Sequence, residues 1–199
     1  EVTGIDTAAR KVRTSSGEHT FDVLVVAMGA HLAPGSMAGL NEASHTFYTL
    51  DGAARLRDAL AQMNGGRIAV VVASMPYKCP GAPHEGAMLI ADSFRKRGLA
   101  SRVKVDLYTP EAQPMPVAGP QLGAAVQSML SAKGIGFHPL HKLKAVDGGS
   151  QTLIFENETS APYDLLVVIP PHRAPAAVEQ SGLLNAAGWI PVNPQTLET

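Results

Sequence analysis

The chain has 199 residues, 45% hydrophobic and 17% charged, with 16 Lys+Arg against 17 Asp+Glu and a formal net charge of -1. This is a globular balance for one or two domains, with neither the charge excess of a disordered tail nor a basic stripe to neutralise nucleic-acid phosphates; RKR at Arg95–Arg97 is the one tight cluster. The single cysteine, Cys79, cannot close an intramolecular disulfide, and no apolar run nears the ~18 residues of a transmembrane segment. A reducing, cytoplasmic or membrane-peripheral setting is the default expectation.

In chain order, EVTGID, KVRTSS and TFDVLVVA are three β-type runs within residues 1–30, with a turn at Ser16-Gly17, and read as a meander that leads into a buried strand. An irregular stretch follows Gly29. Asp51 then offers an N-cap for a helix over 52–63, which Gly65-Gly66 stops. From Arg67 the pattern alternates: strand RIAVVVAS, amphipathic helix GAMLIADSFRKRG, strand RVKVDLYT. That order predicts a βαβ unit with a parallel, doubly covered sheet. The Pro-rich loop PEAQPMPVAGP and helix QLGAAVQSMLSAKG come next. IGFHPL, HKLKAVD and QTLIFEN then read as a second meander with a Gly148-Gly149 turn. The last strand, within APYDLLVVIPP, nearly repeats HTFDVLVVAMG, since each places an aromatic residue and an Asp before four aliphatic residues. Two such strands around a βαβ unit suggest one domain interrupted by another, with boundaries near 65 and 160, giving segments 1–65, 66–160 and 161–199.

The loop YKCPGAPHE, Tyr77 to Glu85, the run VVAMGA at Val25–Ala30 and the terminal VNPQTLET together carry a resemblance. The chain resembles the inner half of two-dinucleotide-domain flavoproteins of the pyridine nucleotide-disulfide oxidoreductase type. Its cysteine loop is similar to that of sulfide:quinone oxidoreductases and flavocytochrome c sulfide dehydrogenases. The resemblance implies an α/β fold: a Rossmann-like βαβ domain layered as β-meander, parallel sheet and helices, flanked by partial FAD-domain segments. It also implies that the chain is an internal piece of a longer protein. FAD is the implied cofactor, contacted by Ala27, Gly29, Ala30, Pro80 and Gly81. The implied partners are sulfide or another small sulfur substrate, and a quinone or cytochrome as electron acceptor. Cys79 would carry the substrate sulfur as a persulfide or a flavin adduct, and the second redox cysteine that the resemblance calls for has no counterpart in these residues. Uncovered strands at the flanks would favour homo-oligomers.

The residues themselves bear on the same chemistry. A nicotinamide site needs glycines after the first strand, so that backbone N–H groups reach a pyrophosphate at a helix N-terminus. Here ASMPYKCPGAPHEG occupies that place, and Pro76, Pro80 and Pro83 each lack an N–H. NAD(P) is therefore not expected. The loop can instead hold a thiol near the positive end of a helix and beside Lys78, where its pKa should fall and its nucleophilicity rise. A free cysteine is more often simply buried and inert, and the prolines on both sides count against that here. His84 and Glu85 are candidate proton carriers, although both suit a helix's first turn without any such role. Lys78 is either a tuner of the thiolate or a solvated charge. His138, His141 and His172 lack metal-ligand spacing, and no metal is assigned. Asp106 is read as structural, and Pro114–Pro116 as an exposed loop, with a substrate or quinone channel as the less favoured role. Two other readings remain: an NAD(P)H-dependent flavin disulfide reductase or NADH dehydrogenase-like protein, and an inert scaffold.

Overall fold

The computed structural model describes residues 1–199. In chain order the elements are strands β1 (Val2–Asp6), β2 (Lys11–Thr14), β3 (Gly17–Thr20) and β4 (His31–Leu32), helices α1 (Leu40–Ala43) and α2 (Leu50–Gln62), β5 (Gly66–Val72), α3 (Ala82–Lys96), β6 (Val103–Tyr108), α4 (Pro120–Ala132), β7 (Gly136–His138), β8 (Leu143–Asp147), β9 (Thr152–Phe155), β10 (Ser160–Pro162), β11 (Leu165–Ile169), β12 (His172–Arg173) and α5 (Ala176–Glu179). They form two compact units, Glu1–Leu32 with His172–Thr199, and Ala33–Pro171. The boundaries expected near 65 and 160 thus differ from this division. Leu40 lies in the core of the second unit, and β11, expected in a return segment, is a strand of that unit's central sheet.

The second unit is built on a parallel sheet in the order β11-β5-β6-β7. Strand alternation divides its side chains between two faces. Ile68, Val70, Val72, Val105, Leu107, Val167 and Ile169 pack with Leu56 of α2, Ile90 and Phe94 of α3, and Val126 and Leu130 of α4. Ala69, Val71, Ala73, Tyr108, Leu166 and Val168 pack instead with Leu143, Val146, Leu153 and Phe155 of the antiparallel meander β8-β9-β10. The result is three layers with apolar cores on both sides of the sheet, each fully buried large side chain contributing about 1.5–3 kcal/mol. IGFHPL, expected in the meander, supplies β7, which pairs parallel with β6. The sequence of each helix sets its limits. Thr49, and not Asp51, caps α2, its hydroxyl accepting from the Gly52 N–H at 3.0 Å. The helices α3 and α4 stop at Gly98 and Gly134, both at φ +72°.

In the first unit β1-β2-β3 is an antiparallel meander and β12 pairs with β4. Ile5, Ala174 and Val178 form its core, with Leu24 and Val26 packed against it. The buried strand expected at 20–27 is not a strand. Residues 21–30 lie outside every strand, and Val23 and Val25 are each 82% exposed. The apolar alternation survives, but β structure also needs hydrogen-bonding neighbours along its edges, and no strand of the chain supplies them.

Candidate functional site

β5 delivers the chain to the carboxyl edge of the sheet at the point where strand order reverses, with β11 on one side and β6 on the other. In open parallel sheets this is where ligands bind. The loop that leaves it, Ala73–Gly81, carries Cys79, whose side chain is exposed and whose backbone takes the left-handed conformation, φ +60°. Three consecutive residues of the loop are held. The Tyr77 hydroxyl donates to Glu111 Oε2 at 2.9 Å, the Lys78 carbonyl accepts from the Tyr48 hydroxyl at 2.6 Å, and the Cys79 carbonyl accepts from the Ala82 N–H at 2.9 Å. Gly81 is the N-cap residue of α3 and Pro83 falls in its first turn, where a missing N–H costs nothing. The thiol is therefore presented just ahead of a helix that its own carbonyl helps to start.

Glu111 lies in the loop after β6, 8% exposed. Its Oε2 also accepts from the Thr109 hydroxyl at 3.0 Å, and its backbone N–H donates to that hydroxyl at 3.2 Å. Main-chain bonds from Leu140 N–H to the Glu111 carbonyl and from His141 N–H to the Thr109 carbonyl lace the exits of β6 and β7 together. Burial first, and then the Glu111 hydrogen bond and charge, push the Tyr77 phenol well above the ordinary tyrosine range, with Tyr48 and Cys79 adding to the effect. Burial and then the nearby Cys79 charge push Tyr48 up to about 12. Both phenols thus stay protonated donors at neutral pH, clustered around the thiol.

The remaining candidates separate. Glu85 is exposed in the first turn of α3. His84 is 2% exposed, and its ring centroid is 6.3 Å from that of Phe137. Burial lowers its pKa, which the Pro80 and Gly81 carbonyls only partly oppose. The structure does not give His84 the solvent-facing ring that a proton carrier would use. Pro114 is buried and Met115 packs against the helix-side core, so of the loop expected to be open at 114–116 only Pro116 is exposed. Asp106 is 5% exposed and bridges His138 Nε2 at 2.9 Å and Lys104 Nζ at 3.1 Å, while Tyr108 stacks on the His138 ring at 4.3 Å. In the first unit Ala27 and Gly29 are exposed and Ala30 is half-buried. Gly29 sits at φ +70°, with nothing within 4 Å of where a Cβ would stand. Tyr48, Thr109 and Glu111 were missed from sequence. For Glu111 the available signal was its place just past the end of the strand RVKVDLYT, beside the exit of β5.

A profile of the pyridine nucleotide-disulphide oxidoreductase family matches residues 1–199. The chain is 28% identical to the mitochondrial sulfide:quinone oxidoreductase of Mus musculus over 199 residues, 94% of this chain and 44% of that protein. It is 27% identical to the corresponding Dictyostelium discoideum protein over 198 residues, 94% of this chain and 43% of that protein. The crystal structure of the sulfide:quinone oxidoreductase from Aquifex aeolicus has the same fold, with a TM-score of 0.74 at 22% identity, covering 94% of this chain and 46% of that one. The chain thus spans less than half the length of these relatives.

Proposed function

Because the chain belongs to the pyridine nucleotide-disulphide oxidoreductase family, we propose that it forms the thiol-bearing part of a flavin-dependent enzyme that oxidises sulfide and passes the electrons to a quinone. The observation that carries this reading is Cys79, exposed and left-handed at the carboxyl edge of a parallel sheet, held through its own carbonyl and through both residues before it. The similarity to sulfide:quinone oxidoreductases over 94% of the chain supports the choice of substrate and acceptor.

The Cys79 thiolate and hydrosulfide form a sulfur–sulfur bond, releasing two electrons and one proton. FAD, when bound, is the two-electron acceptor. The chain's own residues hold the sulfur in place and take the proton. Glu85, exposed in the first turn of α3, is assigned the proton in preference to the buried His84. Ala27, Gly29 and Ala30 are assigned to the flavin, because at Gly29 a cofactor can approach the backbone closely. No helix is long and apolar enough to cross a membrane.

The test is sulfide-dependent reduction of a short-chain ubiquinone by the full-length flavin-loaded protein and its Cys79→Ser variant. Turnover in the parent and a loss of about 100-fold or more in the variant are expected, since the hydroxyl is a far weaker nucleophile. Undiminished turnover by Cys79→Ser, reduction of cytochrome c but not of quinone, or flavin reduction by NADH but not by sulfide would overturn the assignment.

A further inference from the structure

A buried carboxylate is costly to keep: removed from water it must fill its lone pairs, and its contribution to stability is often nil. Glu111 fills one oxygen with two hydroxyls, from Thr109 and Tyr77. Thr109 belongs to the same turn and Tyr77 does not; it is 34 residues away along the chain, two positions before Cys79. The only segment Glu111 secures beyond its own turn through its side chain is thus the thiol loop. Cys79 also occupies a backbone region, φ +60°, that a non-glycine residue keeps only when its surroundings hold it there.

We propose that Glu111 is a positioning residue for Cys79. Acting through Tyr77, and together with Tyr48 at the Lys78 carbonyl, it locks the loop in the left-handed conformation that points the sulfur outward. The proposal rests on the reading of Cys79 as the reactive group, and it adds residues that no motif in the loop reveals. The Glu111 carboxylate holds Tyr77 from the loop after β6 and the Tyr48 phenol holds Lys78 from the segment entering α2, so residues 77 and 78 are tied to separate parts of the unit. The Cys79 carbonyl is fixed in turn by the first amide of α3. The main chain of this tripeptide is thereby fixed before a substrate arrives, and the entropy of ordering it is lost on folding and not on binding.

The test uses the full-length flavin-loaded protein and three variants, Tyr77→Phe, Tyr48→Phe and Glu111→Gln. Two readouts are taken: steady-state sulfide oxidation, and the electron paramagnetic resonance line shape of a nitroxide attached to Cys79. Loss of a hydrogen bond to a charged acceptor releases the loop by a factor of about 10 to 100. Tyr77→Phe is therefore expected to lower kcat about 10- to 100-fold while KM changes little, and to add a fast-moving component to the nitroxide spectrum. Tyr48→Phe should give a smaller version of both changes. Glu111→Gln, which keeps an acceptor without the charge, should fall between wild type and Tyr77→Phe. A merely structural role would lower the thermal midpoint without adding the mobile component at 25 °C. That result, or unchanged kcat in Tyr77→Phe, overturns the proposal. Absence of sulfide turnover in the wild type would overturn the functional reading instead, while the nitroxide line shapes would still decide whether Glu111 and Tyr77 order the loop.

Discussion

Burial of His84 should make the second unit sensitive to acid, by an amount that the unfolded pKa of histidine bounds. Its ring is buried against Phe137 in the first turn of α3, and burial holds its pKa below the ordinary 6.5. The positive end of the helix opposes protonation as well. A histidine whose folded pKa is depressed takes up its proton in the unfolded chain first. Its contribution is therefore neutral above pH 6.5, and stability is lost as pH falls from 6.5 toward the folded value. At pH 5.5, one unit below the unfolded pKa, the most that such a depression can remove is about 1.4 kcal/mol, the limit in which the folded ring takes up no proton. The Pro80 and Gly81 carbonyls work against this, so the figure is an upper bound. His84→Leu removes the titration and keeps an apolar side chain in the pocket. Urea unfolding followed by circular dichroism at 222 nm reports this unit, because the long helices α2, α3 and α4 all lie in it. Between pH 7.5 and 5.5 the wild type should lose up to about 1.4 kcal/mol more than His84→Leu. The comparison between pH values cancels whatever the substitution does to packing, and it also cancels His45, whose pKa is likewise lowered by burial and Arg55. Equal pH dependence in the two proteins would refute the reasoning.

Three further outcomes are expected. Thr49→Ala removes the side-chain cap of α2 and should cost about 1 kcal/mol in urea unfolding, with Asp51→Ala the milder change. Gly136→Ala would drive a Cβ into the Asp106 carboxylate and against the His138 ring, and should destabilise by about 2 kcal/mol or more as read by the thermal midpoint; substitution of exposed Gly149 should not. The 199-residue chain should self-associate through the bare apolar run at 21–27, and Val23→Lys with Val25→Lys should return it to a monomer in sedimentation velocity.

Much of the second unit was legible because its signals are local. The helix ends at Gly98 and Gly134 and the turn at Gly148-Gly149 follow from glycine's tolerance of unusual backbone or from its place between alternating runs. The three layers follow from the change from a 2-residue to a 3.6-residue apolar period. Cys79 stood out by its setting between prolines. What surrounds it did not, since Tyr48 is 30 residues from the carbonyl it holds and Glu111 is 34 residues from the phenol it accepts. Over separations this long a secondary-structure period carries no information; the adjacency of β5 and β6 brings Glu111 toward Tyr77, and the packing of the segment before α2 brings Tyr48 to Lys78. His84 failed in the opposite way: its proximity to the thiol in sequence suggested a proton carrier, but a residue in the first turn of a helix can face the core as easily as the solvent.

The two aromatic-Asp-aliphatic strings show where local pattern stops being informative. Tyr163-Asp164-Leu165-Leu166-Val167-Val168 and Phe21-Asp22-Val23-Leu24-Val25-Val26 are nearly the same text. The first is a buried strand. Asp164 Oδ2 accepts from the Arg67 N–H at 2.7 Å, Leu165–Ile169 pairs in register with Ile68–Val72, and His45 bonds the free edge through Leu166 and Val168. The second has Leu24 and Val26 against a small core, and Val23 and Val25 in water. Propensity and alternation are equal in the two, so they cannot be what separates them. The difference is the set of backbone partners on either side, worth about 1 kcal/mol per hydrogen bond, and the covering layers that those partners bring with them. A strand is thus a property of its neighbours as much as of its own residues, and the exposed run at 21–27 marks the surface at which this chain's β structure is open to addition.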